Sequence, residues 1–237
     1  MVHQGLPSSA YDSSCDGTWL LLKNIYEMRV WDSTNNDYEN SDIHSYLNNA
    51  FLNLFDSDIV SIIKQVKIPY TKGTGQGGTV NTGSNGLATR VFLISMSEMD
   101  FERYDVNVEG AALSYFKGTG YTKTTATYNG TKTNWWLRSL YKGRTNQVCV
   151  ISSGGGYTSY MNSYAQGVRP AMILPYEANV DDSGMIVASS GAIGGEVNIN
   201  GVTYELTGEG YVNINGVLCP LDDSGVNIGG ILNSMGG

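Results

Sequence analysis

Histidine and cysteine are scarce in this chain, with two and three residues respectively among 237. Metal centres are usually assembled from several such side chains at recognisable spacing, and neither His3 nor His44 has that company. Cys15, Cys149 and Cys219 lie far apart with no CxxC pair, which reads as reduced, mostly buried thiols rather than a disulfide framework. No GxSxG turn supports a serine nucleophile, and no GxxxxGK[ST] loop offers a phosphate cradle. No metal, no cofactor and no enzymatic chemistry is expected.

Charge is also sparse. Lys and Arg number 14 against 22 Asp and Glu, a formal net charge of −8, and charged residues make up 15% of the chain. With no basic cluster, electrostatic capture of nucleic acid or anionic lipid is not expected. No apolar run approaches the roughly 18 residues that a membrane span requires. The N-terminus lacks a basic stretch followed by an apolar one, so no signal peptide and no membrane insertion is read here. Strand-like residues begin directly after Met1, as in one module of a longer chain, although a naturally short N-terminus reads the same way.

What the chain has instead is glycine, 30 residues, and tyrosine, 16. A surface with so few charges must be built from uncharged polar groups and phenols, which is closer to an adhesive surface than to a typical cytosolic enzyme. The length is enough for a substantial core in one or two domains.

Along the chain, a short first strand leads through SSAYDSSCDG into TWLLLKNIYEMRVW, whose apolar run suits a buried strand. After the polar stretch DSTNNDYENSD, Asn40 or Ser41 can cap a helix whose apolar face is Ile43, Leu47, Ala50, Phe51, Leu54 and Phe55. A second helix fits DSDIVSIIKQV, capped by Asp56 or Ser57, with Ile59, Ile62, Ile63 and Val66 inward. Residues 71–86 read as a Gly/Thr/Asn loop too polar to pack. RVFLISM reads as a core strand, EGAALSYF as a short helix, and TNWWLRS, QVCVIS and VRPAMILP as further strands. Helices early and strands late predict an α+β fold.

Near Tyr176 the composition shifts to Gly, Asn, Val and Ile, which places a boundary between residues 1–176 and 177–237. In the second part VNINGVTYEL recurs as VNINGVLCPL, each carrying Asn-Gly, at Asn200-Gly201 and Asn215-Gly216. Asn-Gly tolerates the positive φ angles of a type I′ turn, so two tight hairpins are expected, with two more turns at the DDSG beginning at Asp181 and at Asp222. Isolated hairpins are marginal in water. This appendage must therefore pack on the main domain, pair between chains as in a homo-oligomer such as a trimer, or both.

Several motifs weaken on inspection. Gly73, Gly75 and Gly78 match GxGxxG, but TVNTGSNG cannot form the helix whose N-terminus would receive a pyrophosphate. Asp32, Asp37, Glu39 and Asp42 lack the DxDxDG spacing of a calcium loop, and a solvated acidic stretch preceding a helix N-terminus accounts for them. Arg138 and Arg169 each sit inside an apolar segment and need carboxylate or carbonyl partners, with Glu98 or Glu109 as candidates. Anion binding is the alternative role for both.

Five segments together carry a resemblance: HQGLPS from His3, SDIHSYLNNAFLNLF, VFLISM, WWLRS from Trp135 and GVRPA from Gly167. Over residues 1–176 the chain resembles an uncharacterised domain family of gut-bacterial and phage proteins. That family is similar in turn to the C-type-lectin-like and formylglycine-generating-enzyme fold. The resemblance implies a C-type-lectin-like domain with a C-terminal β-hairpin appendage, in which WWLRS and GVRPA are core strands framing an exposed stretch. In lectin-like proteins diversified by retroelements, that stretch carries the variable ligand-binding residues, and directed adenine mutagenesis turns Asn codons largely into Tyr, Ser, Asp and Gly. The Glu-Pro-Asn and Trp-Asn-Asp calcium motifs of sugar-binding lectins are missing, as are the paired catalytic cysteines of formylglycine-generating enzymes.

The run SSGGGYTSYMNSYAQ from Ser152 has the composition of a recognition loop. Tyr supplies a large amphipathic contact at low entropic cost, while Ser, Gly and Asn adapt hydrogen bonds and backbone shape. Tyr157, Ser159, Tyr160, Asn162 and Tyr164 are the leading contact candidates, with Tyr141, Lys142, Arg144 and Asn146 as the other edge. The expected function is binding of a cell-surface protein or glycan receptor, in a phage tail or on a bacterial surface. A virion decoration or oligomerisation module, and an enzyme of the formylglycine-generating type, are the alternatives.

Overall fold

The computed structural model describes residues 1–176 and, beyond them, the backbone of the strands between Asn179 and Asn233. The chain divides into two compact units, Met1–Tyr176 and Glu177–Gly237. The fold is mixed, mostly β with few and short helices.

In the first unit the strands follow in the order β1 (His3–Gln4), β2 (Thr18–Leu21), β3 (Glu27–Val30), β4 (Val66–Ile68), β5 (Tyr70–Lys72), β6 (Thr79–Asn81), β7 (Leu87–Thr89) and β8 (Val91–Phe92). Helices α1 (Asp42–Tyr46) and α2 (Ser57–Ile62) lie between β3 and β4. The later strands are β9 (Ala126–Tyr128), β10 (Thr131–Thr133), β11 (Trp135–Leu140), β12 (Gln147–Ile151), β13 (Tyr157–Met161), β14 (Ala165–Val168) and β15 (Ala171–Leu174).

Two sheets organise this unit. One has four strands in the order β1-β2-β15-β8, and the other has five in the order β13-β12-β11-β14-β3. WWLRSL is buried at every position of β11, and Val148 to Ile151 are buried in β12. Strands covered on both faces need no polar alternation, which is why these runs are apolar apart from Arg138, Ser139 and the leading Gln147. Trp19, Trp31, Trp135 and Trp136 are all fully buried.

A charged cluster sits inside this core. Arg138 donates to both carboxylate oxygens of Glu98, at 2.7 Å each, and to the carbonyls of Leu93 (2.8 Å), Pro69 (3.1 Å) and Glu109 (3.2 Å). Glu98 also accepts from the Tyr11 hydroxyl and the Ser95 N–H, while Glu109 accepts from Thr71 N–H and the Ser139 hydroxyl. The carboxylate partner expected for Arg138 is therefore Glu98, and every guanidinium donor has an acceptor. Nothing remains for a ligand.

The first helix starts where expected, with Ser41 Oγ accepting from His44 N–H at 3.2 Å. It continues through a π-helical turn, Leu47–Phe51, and a 3₁₀ turn, Leu52–Leu54. Ile43, Leu47 and Phe51 are buried, but the wider π turn shifts the phase of the stripe, so Leu52 faces in while Ala50 and Leu54 face out. α2 ends at Ile62, and Val66 begins β4 instead of extending the helix.

Two local expectations are corrected. EGAALSYF forms no helix, because its backbone groups are committed elsewhere: Leu113 N–H donates to the Glu98 carbonyl at 3.1 Å and Tyr115 N–H to the Val2 carbonyl at 2.9 Å. Residues 71–86 are not a loose loop, since β5 and β6 pair there as a hairpin. Gly75 anchors its tip. The Gly75 N–H donates to Asn36 Oδ1 at 3.0 Å, and its carbonyl accepts from Gly143 N–H at 2.9 Å. A Cβ at Gly75 would lie 2.2 Å from the Tyr141 carbonyl oxygen and 2.6 Å from that of Arg144. Both neighbours are backbone, so Gly75→Ala is expected to cost about 1–3 kcal/mol by overpacking, read as a lower urea midpoint. An unchanged midpoint would show that the tip is not pinned there.

In the second unit, β16 (Asn179–Val180) pairs with β17 (Ile186–Val187). The strands β18 (Glu196–Ile199), β19 (Val202–Thr207), β20 (Tyr211–Ile214), β21 (Val217–Asp222), β22 (Gly225–Ile228) and β23 (Ile231–Asn233) form a six-stranded antiparallel sheet in sequence order. Ile199 pairs with Val202 and Ile214 with Val217, so each repeat is a hairpin. The Asn-Gly pairs, and the DDSG that begins at Asp181, lie outside the described residues. Asp222 pairs with Gly225 across the second DDSG.

Candidate ligand-binding surface

The run from Ser152 is a hairpin rather than a loop. β13 is the edge strand of the five-stranded sheet, paired along its length with β12 from Ile151↔Tyr157 to Gln147↔Met161. The turn before it is fixed at Gly155, which has φ +90 and whose Cβ would lie 2.6 Å from the Tyr121 carbonyl oxygen. Its carbonyl accepts from the Thr124 hydroxyl at 2.6 Å.

Because successive strand residues alternate faces, this register divides the candidates. Tyr157 and Ser159 share one face with Ile151 and Cys149, whereas Tyr160 shares the other with Val148. All three are half-buried. Tyr164 is exposed in the turn beyond the strand. Asn162 is corrected: it is 3% exposed, its Nδ2 donates to the Asn35 carbonyl at 2.7 Å, and its own carbonyl accepts from Trp31 N–H at 3.0 Å. A side chain that ties two segments together in this way is not a ligand contact. The single recognition loop is thereby replaced by residues on two faces and a turn.

On the Tyr157 face the structure assembles a cluster that composition does not reveal. Residues 101–106 run beside the turn after β11, with Lys142 N–H donating to the Asp105 carbonyl at 2.8 Å and Val106 bridging to Tyr141. The Arg103 guanidinium lies 5.3 Å from the Tyr157 ring centre and 5.7 Å from that of Tyr141. It is held there by Asp105, at 2.5 Å. Phe101 packs under this group, 5.2 Å from Tyr157 and 5.5 Å from Tyr121. Tyr104 is 90% exposed, and Lys142 Nζ donates to its carbonyl at 3.2 Å. Tyr141 and Tyr157 therefore meet around Arg103, Lys142 is tied to the same segment through the Asp105 and Tyr104 carbonyls, and Arg144 and Asn146 stand exposed on the same turn.

The electrostatics of this face are local. Burial acts to raise the Asp105 carboxyl, but the Tyr141 hydroxyl and Arg103 beside it outweigh that and hold it below the ordinary 3.8. The Arg103 guanidinium is raised, chiefly by its hydrogen bond to Asp105. A depressed carboxyl favours the folded arrangement above its unfolded value and loses that contribution as pH falls through the depressed one. The Arg103–Asp105 pair is accordingly expected to stay intact from neutral pH to about pH 4, so that any ligand held by this face would bind evenly over that range and more weakly only below it. A decline between pH 7 and 5 would place the titrating group elsewhere.

The other cysteines, histidines and acidic residues singled out in the first unit are largely packed into the fold, and the Cys219 side chain lies outside the described residues. Burial pushes the Cys15 thiol up to about 12 and the Cys149 thiol higher still, against thiolate formation at neutral pH. His44 lies between the Glu39 carbonyl and the Thr89 hydroxyl with its pKa lowered by burial, and His3 Nδ1 is 2.7 Å from the Ser114 hydroxyl. Asp32 accepts from the N–H groups of Thr34, Asn35 and Asp42, closing the acidic stretch on itself. Among the described residues no group of three or more His, Cys, Asp or Glu is placed to hold a metal ion. No helix among them is long and apolar enough to cross a membrane.

Fold and surface thus define a mixed, mostly β domain that carries a half-buried tyrosine–arginine cluster with Tyr104 exposed beside it. Residues 16–176 match the family described as "Domain of unknown function (DUF6273)". That is more than half of the chain, and the chain belongs to this family. Neither a curated protein nor a solved structure matches it.

Proposed function

We propose that residues 1–176 form a C-type-lectin-like binding domain that recognises a cell-surface protein or glycan through the Arg103-centred face. The reading needs no cofactor and no catalysis, and it suits the receptor-binding part of a phage tail protein or a bacterial surface adhesin. The observation that carries it is the convergence of separate segments on Arg103, with Tyr141 and Tyr157 flanking it and Tyr104 standing out beside it. Tyr and Arg are the residues that most often dominate binding energy, and here their side chains are held in place before any partner arrives. Pairing of the WWLRS and GVRPA segments, Trp135↔Gly167, accords with their role as framing core strands in the resembled fold. The composition of the hairpin from Ser152 accords with retroelement-type diversification.

Binding of the labelled full chain to intact bacterial cells tests the reading. Tyr104→Ala is expected to weaken it by about tenfold or more, the scale of an interface hot spot. Full binding by the folded variant would remove Tyr104 from the interface.

A second reading, oligomerisation or virion decoration, is supported by the six-stranded sheet of the second unit, whose end strands β18 and β23 each have a single neighbour in it. Light scattering is expected to give a trimer for the full chain and a monomer for residues 1–176. Two monomers would end this reading. The enzyme alternative has less support, because Cys15 and Cys149 are both buried.

A further inference from the structure

Arg169 differs from Arg138 in one decisive respect. Arg169 is 6% exposed, yet no carboxylate pairs with it among the described residues. Its Nε donates to the Leu22 carbonyl at 2.6 Å, and the guanidinium lies 4.9 Å over the Trp135 ring. Nη1 is buried without any hydrogen-bond partner. A buried cation without a counter-charge is costly, and burial lowers this guanidinium to about 10, which still leaves it charged at neutral pH.

Arg169 lines a pocket of about 240 Å³ together with Lys23, Lys123, Tyr115, Thr125 and Thr127. No Asp or Glu is among its lining residues. In a chain of net charge −8 that concentration of cations runs against the average. Lys23 and Lys123 are exposed, and Lys123 Nζ stands 4.6 Å from the Tyr115 ring centre. The pocket is smaller than the roughly 300 Å³ at which drug-sized ligands begin to fit, so it suits one charged group and the moiety that carries it. It shares no residue with the Arg103 face.

We infer that this pocket binds an oxyanion, the carboxylate, sulfate or phosphate group of a small ligand moiety, with Arg169 as the buried counter-charge and Lys23 and Lys123 as exposed ones. Arg offers a planar fork of donors that matches such groups, and the unpartnered Nη1 is the donor that lacks an acceptor.

Titration of the ¹⁵N-labelled full chain with inorganic phosphate, sulfate and acetate, at ionic strength held constant with chloride, tests the inference. Saturable shifts are expected at residues 122–127 and at the Arg169 Nε–H. Saturation by acetate assigns a carboxylate and saturation by phosphate or sulfate a tetrahedral anion, and either supports the site. The exposed pair Lys23→Ala with Lys123→Ala is expected to weaken binding about tenfold without affecting folding. Arg169→Lys, which keeps the charge and loses the fork, is expected to weaken it as well. Linear shifts that chloride reproduces, or full affinity in the double lysine variant or in Arg169→Lys, would overturn the inference.

Discussion

Arg138→Ala is expected to destabilise the first unit by about 3–5 kcal/mol, the scale found when one partner of a buried ion pair is removed. The guanidinium satisfies both oxygens of Glu98 at 2.7 Å and three carbonyls, all within the core. Without it, Glu98 keeps its bonds from Tyr11 and Ser95 but has no counter-charge, and the carbonyls of Leu93 and Pro69 lose a donor they cannot replace with water. A domain of this size typically has a total stability of about 5–15 kcal/mol, so the loss is a large share. Urea unfolding followed by tryptophan fluorescence measures it, since all four tryptophans are buried. Arg138→Met combined with Glu98→Gln is expected to cost less than the sum of its parts, because the two side chains interact directly. A loss under about 1 kcal/mol for Arg138→Ala would mean that Glu98 is hydrated in the folded protein.

Trp135→Ala is expected to cost a similar amount, about 3–5 kcal/mol, for a different reason. Here the loss is chiefly volume and apolar contact. Trp135 is fully buried at the start of β11, where it pairs with Ile151 on one side and Gly167 on the other. Its indole N–H donates to the Thr124 carbonyl at 3.0 Å, and its ring supports Arg169. Truncation opens a cavity between three strands and removes the surface on which the guanidinium rests. Trp135→Phe retains most of the ring and is expected to cost roughly half as much. Equal stability of the alanine variant, by the same urea measurement, would contradict the packing described for β11.

The contrast between these core positions and the proposed binding face shows what the sequence made legible. TNWWLRS, QVCVIS and VRPAMILP announce themselves as strands because continuous apolar runs between turn residues have few other uses in a folded chain. The two Asn-Gly hairpins announce themselves through the turn chemistry. EGAALSYF misleads, since its composition suits a helix while its N–H groups go to Glu98 and Val2 across the fold, and such tertiary claims leave no local trace. Arg103 was equally hidden. In DFERYD it is one charge among several, and only the path of residues 101–106 beside Tyr141 sets it between two phenols.

The run from Ser152 holds a subtler lesson. Tyr157, Thr158 and Tyr160 favour a strand, yet the Gly, Ser and Asn residues on either side conceal it, and no apolar alternation marks a core face along β13. Once a strand is recognised there, period two separates Tyr157 from Tyr160, and no composition argument can unite them. Asn162 resembles its polar neighbours by type, yet its burial depends on Asn35 and Trp31, more than a hundred residues away.

Binding of two double variants to the same cells tests the central proposal most directly. Arg103→Ala with Tyr104→Ala removes side chains from the Arg103-centred face, and Tyr160→Ala with Tyr164→Ala removes phenols from the opposite sheet face and the turn. The account predicts that the first variant loses most of its binding while the second keeps it, with both folded by circular dichroism. Retained binding by the first variant, or loss confined to the second, would contradict it.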